Sequence, residues 1–278
     1  MKKSDLAYVR KRKRRKVAAI VTAISTMAVA VFVLVAFLGR FVGTFTVSLD
    51  TGELKLSLCE KSSFNNPTSY LKLKSIPDFA LTTYTDLPSS SELDNEETTY
   101  LDGEIKDAKG KSSLKYFKYT FFVKNGGEIP ASYDMKVNIT RNTPSDDRRY
   151  LDSLLRVIVY HNNINSDTHD HEVYAKENTD PSPTYGYEEG EYTYKAAISF
   201  QNPEDAERYG GYEFPGFANR FESSTVAARI PQVSLQQDET IRYTIVVWLE
   251  GNDPDATGAA PVNANLKLGV TINAYENQ

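Results

Sequence analysis

The chain opens on a basic stretch and turns at once into an apolar one: from Val17 to Gly39 there are 23 residues without a formal charge. As a helix rising about 1.5 Å per residue, that run reaches roughly 34 Å, enough for a hydrocarbon core of about 30 Å. After Arg40 the pattern changes to short stretches in which apolar and polar residues alternate, the mark of half-buried strands. "GTFTVSL" puts Phe45, Val47 and Leu49 on one face, "DTG" turns the chain, and "ELKLSL" returns with Leu54, Leu56 and Leu58, so these segments predict a hairpin. "SYLKLKSI" predicts another strand, ended by Pro77.

The clearest unit is "LKYFKYTFFVKNGGEIPASYDMKVNIT". Both stripes of its first strand are apolar or aromatic at most positions, which predicts a strand covered on both sides. "KNGGEIPA" then turns the chain into a partner carrying Tyr133, Met135, Val137 and Ile139. "SDDRRYLDSL" predicts a short helix leading into the β-branched strand "LRVIVYHN". "EYTYKAAISF", "STVAARIPQVSL", "IRYTIVVWLEG" and "ANLKLGVTINAY" supply further strands, with "QQDET" as a turn. Three hydrophilic regions, about 86–113, 161–191 and 201–222, read as long loops, the first with at most a short strand near Thr99–Leu101. The expectation is an all-β fold, a jelly-roll-like β-sandwich preceded by one N-terminal transmembrane helix. Its divisions are a basic tail at 1–16, the helix at 17–39 and one sandwich domain at 40–278. No fixed-period repeat suggests a solenoid or propeller.

Charge sharpens this picture. Residues 1–16 hold nine Lys/Arg against Asp5, a balance of +8. The whole chain is at −5, so residues 17–278 carry −13. The run Arg10–Lys16 suits anionic lipid headgroups, and the positive-inside rule places the N-terminus in the cytoplasm with the remainder outside. So acidic a remainder argues against nucleic-acid binding. A cleaved signal needs an apolar region of only about 7–15 residues ending in a small-x-small site. The one good match, Ala28-Val29-Ala30, lies in mid-run, so the segment reads as an uncleaved anchor in the plasma membrane.

Cys59 is the sole cysteine, which excludes an intramolecular disulfide and cysteine-rich zinc sites. Period two places it on the Lys55/Ser57 face, expected to be the less buried one. His161, His169 and His171 are the whole histidine supply and the zinc candidates, with Asp167 or Glu172 nearby. In "WLEGNDPDATG", Glu250, Asp253 and Asp255 are the calcium candidates, although that ion wants about six to eight oxygens. The competing reading is that Asp253 and Asp255 shape an Asx turn ending the Trp248 strand. Tyr185, Tyr187, Tyr192 and Tyr194 among acids could stack on sugars or meet a protein. No GxSxG, P-loop, GxGxxG or HExxH motif occurs, so no catalytic residue is assigned and no cofactor is expected.

An N-terminal oily segment, an immediate "GTFTVSL" strand, the "YTFFVKNGGEIPASYDMKVNIT" unit, "LRVIVY" and a terminal "IRYTIVVWLEGNDPD…LKLGVTINA" together resemble uncharacterised surface proteins of Firmicutes. These in turn are similar in pattern to the biofilm matrix fibre protein and camelysin group. The resemblance implies a Gram-positive, extracytoplasmic jelly roll and, for the fibre members, polymerisation by strand donation. The apolar run here is longer than the signal peptides of those proteins. The functional expectation is a non-catalytic cell-surface protein that binds a surface protein or glycan, or assembles with itself. The alternatives are a metal-dependent hydrolase of camelysin type and a secreted fibre subunit released by N-terminal cleavage.

Overall fold

The structure is a computed structural model that describes residues 46–50, 54–72, 79–95, 104–106, 112–164, 166–177, 187–189, 194–196, 198, 216–253, 255–256, 261 and 263–275. Contacts divide the chain into Met1–Phe41 and Val42–Gln278, and only the second unit holds described residues. The basic tail and the Val17–Gly39 run lie outside them. Among the described residues no helix is long and apolar enough to cross a membrane.

The chain is mostly strand. The early strands are β1 (Thr46–Asp50), β2 (Leu56–Cys59), β3 (Tyr70–Lys72), β4 (Leu81–Thr82), β5 (Glu104–Lys106) and β6 (Ser112–Leu114). The middle ones are β7 (Tyr116–Asn125), β8 (Ala131–Thr143), β9 (Leu155–Asn163), β10 (His171–Ala175), β11 (Tyr187–Glu189) and β12 (Tyr194–Ala196). The last are β13 (Asn219–Arg220), β14 (Val226–Leu235), β15 (Thr240–Glu250) and β16 (Asn265–Tyr275). They build a five-stranded sheet in the order β14-β8-β16-β1-β3 and a seven-stranded sheet that runs β13-β10-β9-β15-β7-β2, with β4 beside β15. Two small hairpins, β5 with β6 and β11 with β12, form two-stranded sheets of their own. Both large sheets are mixed, because β1 pairs parallel to β16, β10 to β13 and β15 to β4.

Period two decides what each sheet buries. Tyr133, Met135, Val137, Val270 and Ile272 from the five-stranded sheet meet Phe117, Phe121, Val157, Val159, Tyr243 and Ile245 from the seven-stranded one in a single core. At about 25 cal/mol per Å² of apolar area, such burial is the main force holding a sandwich that has no disulfide. Tyr133 and Tyr243 bring their hydroxyls together across this core at 2.9 Å, so neither buried O–H lacks a partner.

Two expected hairpins are not hairpins. β1 pairs with β16 and β3, whereas β2 joins β7 in the other sheet, so the chain changes sheets between β1 and β2. Likewise β7 pairs with β15 and β2 while β8 pairs with β14 and β16, so "KNGGEIPA" is a crossing. Alternation is local and fixes which face is buried. Partner choice is not local, and here the burial of two facing sheets selects distant partners. Asp238 in the "QQDET" turn takes φ 60°, a conformation aspartate tolerates in tight turns. The expected short helix in "SDDRRYLDSL" is a single 3₁₀ turn, Leu151–Ser153.

Cys59 is buried, 5 % exposed, contrary to its expected position on the open face. Its neighbourhood closes because Leu58 exchanges backbone hydrogen bonds with Thr68, folding the 60–69 segment over that edge. The hydrophilic regions are also more structured than loops. Region 86–113 contains a helical turn, Ser90–Leu93, capped by Ser89 and Glu92, together with β5 and the start of β6. The strand expected near Thr99–Leu101 lies outside the described residues. Region 161–191 contains the end of β9, all of β10 and β11, and region 201–222 contains β13.

Candidate functional site

The outward stripe of the seven-stranded sheet is too apolar to face water: Ile158, Tyr160, Val246 and Trp248 alternate with the core residues of β9 and β15. All three hydrophilic regions contribute to this face: Leu93 of the first and Ala218 of the third pack on it together with Ala196 and Ile198, and Val173 and Ala175 of β10, from the second, extend the stripe within the sheet beside β9. Segments that look like separate loops in sequence therefore meet on one face. Tyr84 lies beside Trp248, ring centroids 6.0 Å apart, and tilts over it.

At the centre of this face is Asp94, whose side chain is fully buried. Arg242 donates from Nε to Oδ1 at 3.0 Å and from Nη2 to Oδ2 at 2.7 Å. Thr244 donates to Oδ1 at 3.2 Å, Asn162 to Oδ2 at 3.0 Å, and His169 Nδ1 stands 3.0 Å from Oδ2. Burial pushes the Asp94 carboxyl up, but the hydrogen bonds from Arg242 and His169, the Arg242 charge and Thr244 hold it below the ordinary carboxylate value. It is an ionised group with its acceptor capacity taken. The adjoining backbone is pinned as well: Lys118 Nζ donates to Asn95 Oδ1 at 2.6 Å, and Thr120 donates to the Asn95 carbonyl at 3.2 Å. Tyr160 donates to Ser90 Oγ at 3.3 Å, and burial raises its phenol to about 12.

Chemically the cluster is a clasp. Segment 90–95 lies on the sheet through Arg242, Thr244, Asn162, Lys118 and Thr120, and His169 ties the 166–170 segment to the same carboxylate. The His169 side chain is a third exposed, and its ring nitrogen facing Asp94 must carry the proton for that bond to form.

The three histidines are not brought together. His161 faces the core side of the seven-stranded sheet, where it stacks on Tyr243. His169 and His171 are on the opposite face: His171 packs on Tyr160 at 4.8 Å between centroids and shares its Nδ1 with the His169 carbonyl at 3.0 Å. His171 is the cross-strand partner of Tyr160 and shares its face, whereas His161 points to the other one, so the sheet itself separates them. Among the described residues no three His, Cys, Asp or Glu side chains converge on a point a metal could occupy, and the set does not fit a zinc centre. Asp167 and Glu172 do not complete one, since Glu172 accepts from Tyr174.

The calcium candidates hold protein groups instead. Glu250, 0 % exposed, accepts from Trp248 Nε1 at 3.1 Å, from the Tyr84 N–H at 3.2 Å and from the Asn252 N–H at 3.3 Å. Asp253 pairs with fully buried Arg156 at 2.7 Å and accepts the Asp255 N–H at 2.9 Å. The last contact is the Asx turn that ends β15. Arg156, Trp248 and backbone N–H groups direct positive charge or donors at these carboxylates, which is the arrangement of a structural terminus, not of a calcium cage. Of the four tyrosines among acids, Tyr187 is paired with Ala196 and Tyr194 with Glu189 in the register of β11 and β12, while Tyr185 and Tyr192 lie outside the described residues.

Sequence reasoning missed Asp94 and Arg242. One signal was present: Arg242 shares its stripe with Thr244, Val246 and Trp248, and Arg156 shares one with Ile158 and Tyr160. An arginine on a covered stripe needs a buried acid, and each has one. Compared with known proteins, the chain matches no family model, no curated protein and no solved structure.

Proposed function

We propose that the chain is a single-pass plasma-membrane protein, cytoplasmic at its N-terminus, whose extracytoplasmic sandwich acts by binding or assembly and not by catalysis. One observation carries the reading: seven consecutive basic residues, Arg10–Lys16, abut 23 uncharged ones, directly ahead of strand texture. The composite outer face supports it, since three chain regions fixed around Asp94 and Trp248 form a rigid platform of the kind binding proteins present. We read the sandwich as jelly-roll-like, because the steps from β7 to β8, β8 to β9, β14 to β15 and β15 to β16 each pass between the two sheets. The likeness in pattern to the Firmicutes surface proteins is in keeping with this reading.

Mass spectrometry of the cell-associated protein tests the anchor. A terminus that retains "VAAIVTA" supports it, and a start near Phe41 or Thr44 replaces it with a released, fibre-type subunit. The rival, a metal-dependent hydrolase, would have to be rebuilt on His169 and His171 without His161. Stoichiometric zinc that is lost in His169→Ala would favour that rival.

A further inference from the structure

The five-stranded sheet is electrically lopsided. β16 runs parallel to β1, and β8 and β3 run against them, so one end of the sheet gathers the start of β1, the start of β16 and the ends of β3 and β8. That end carries Lys72, Arg141 and Lys267, and the turn leaving β8 adds Arg148 and an exposed Tyr150. Farther along, the outward positions are Asp50 of β1 and, on β8, Lys136 and Asp134, the last held in an ion pair by Arg229. Acids near the basic end compensate only in part. Asp147 is taken by Arg149 and Ser145, and Asp146 is held by Asn263.

A second observation is independent of this count. Arg141 and Lys267 are direct cross-strand partners. Like charges placed opposite one another destabilise a sheet, and neither residue forms an ion pair among the described residues. An external anion would relieve that repulsion. The third observation is chain length: only residues 40–45 separate the apolar run from β1, a reach of at most ~20 Å even when fully extended. The basic end is the end at which β1 begins.

We propose that Lys72, Arg141, Arg148 and Lys267 dock the sandwich on anionic phospholipid headgroups of the leaflet in which the Val17–Gly39 helix ends, with Tyr150 at headgroup level. The proposal rests on the anchor reading given above. The docking sets which face of the sandwich looks away from the membrane, and it weakens with salt.

The sole tryptophan, Trp248, supplies the readout. The full chain is reconstituted in phosphatidylcholine vesicles with or without phosphatidylglycerol, each containing a dansyl-lipid acceptor for Trp248 emission. Energy transfer is expected to be higher with phosphatidylglycerol and to fall in high salt. It should drop to the phosphatidylcholine level in the triple variant Lys72→Gln, Arg141→Gln, Lys267→Gln, as the sandwich lifts by about 10 Å, half the tether's reach. An unchanged Trp248 emission maximum certifies that the variant is folded, and the single Lys72→Gln variant serves if the triple one is not. Transfer that ignores lipid composition overturns the docking while leaving the anchor in place. So does transfer that responds only to added soluble polyphosphate, which would assign the patch to a phosphate polymer. A chain stripped from both vesicle types by alkaline carbonate removes the anchor reading, and the docking with it.

Discussion

Replacing Asp94 by alanine removes the carboxylate paired with the Arg242 guanidinium and, with it, the acceptor of Thr244, Asn162 and His169. Arg242 is 7 % exposed, so its charge cannot be rehydrated without lifting segment 90–95 off the sheet. Breaking one partner of a buried pair costs about 3–5 kcal/mol. The partial exposure of His169 places this case near the lower part of that range, about 3 kcal/mol. Against a typical total of about 5–15 kcal/mol, that is a large share. Urea unfolding of the full chain in detergent micelles, followed by the emission of Trp248, reads the loss. With a slope of about 2–3 kcal/mol per M, the midpoint should fall by about 1 M or more. The companion variant Asp94→Leu with Arg242→Met removes both charges and should recover most of the loss, because apolar residues of similar volume often replace buried ion pairs without net cost. If Asp94→Ala moves the midpoint by less than about 0.3 M, or the double variant is no more stable than the single one, the clasp is not what holds this face.

Further outcomes follow from the same structure. Because the folded Asp94 carboxyl titrates below its ordinary value, its contribution is complete above about pH 4 and disappears as pH falls through the lowered value; acid unfolding should therefore lose part of its pH dependence in Asp94→Asn. Tyr133→Phe strands the Tyr243 hydroxyl and should cost about 1–2 kcal/mol, whereas Tyr133→Phe with Tyr243→Phe should cost less than twice that, a departure from additivity measurable by a double-mutant cycle. Tyr160 is raised to about 12, so its share of stability is complete below about pH 10 and fades towards pH 12; Tyr160→Phe should flatten alkaline unfolding over that window. Cys59 should react with an aromatic disulfide reagent only as fast as the protein opens, and rapid labelling of the native chain would contradict its burial.

What could be read from the sequence was what depends on neighbours along the chain. The covered strand at Tyr116–Asn125 was legible because both of its stripes are apolar or aromatic, and in the structure nearly every residue of it is buried. The identity of its cover was not legible. Segment 90–95 attaches through Asp94 and through main-chain acceptors, so its sequence, "SSELDN", looks like any solvated turn. The hairpins failed for a related reason: the residues of "DTG" and "KNGGEIPA" show that the chain turns, but not whether it turns within a sheet or across to another. Asp94 was one acid among many in an acidic chain. Only the arginine facing it, stranded among Thr244, Val246 and Trp248, carried a usable trace.

The pairing of β1 with β16, Val47 beside Val270, has a consequence for biosynthesis. β1 leaves the ribosome well before its partner β16: at about 5–20 residues per second, the intervening stretch takes on the order of 10–40 s to make. Throughout that interval the edge meant for Val270 is a bare template beside freshly made strands of other copies. A chain built this way completes its five-stranded sheet only once β16 has been translated, and a polypeptide that lacks Asn265–Tyr275 is expected to be handed to proteases.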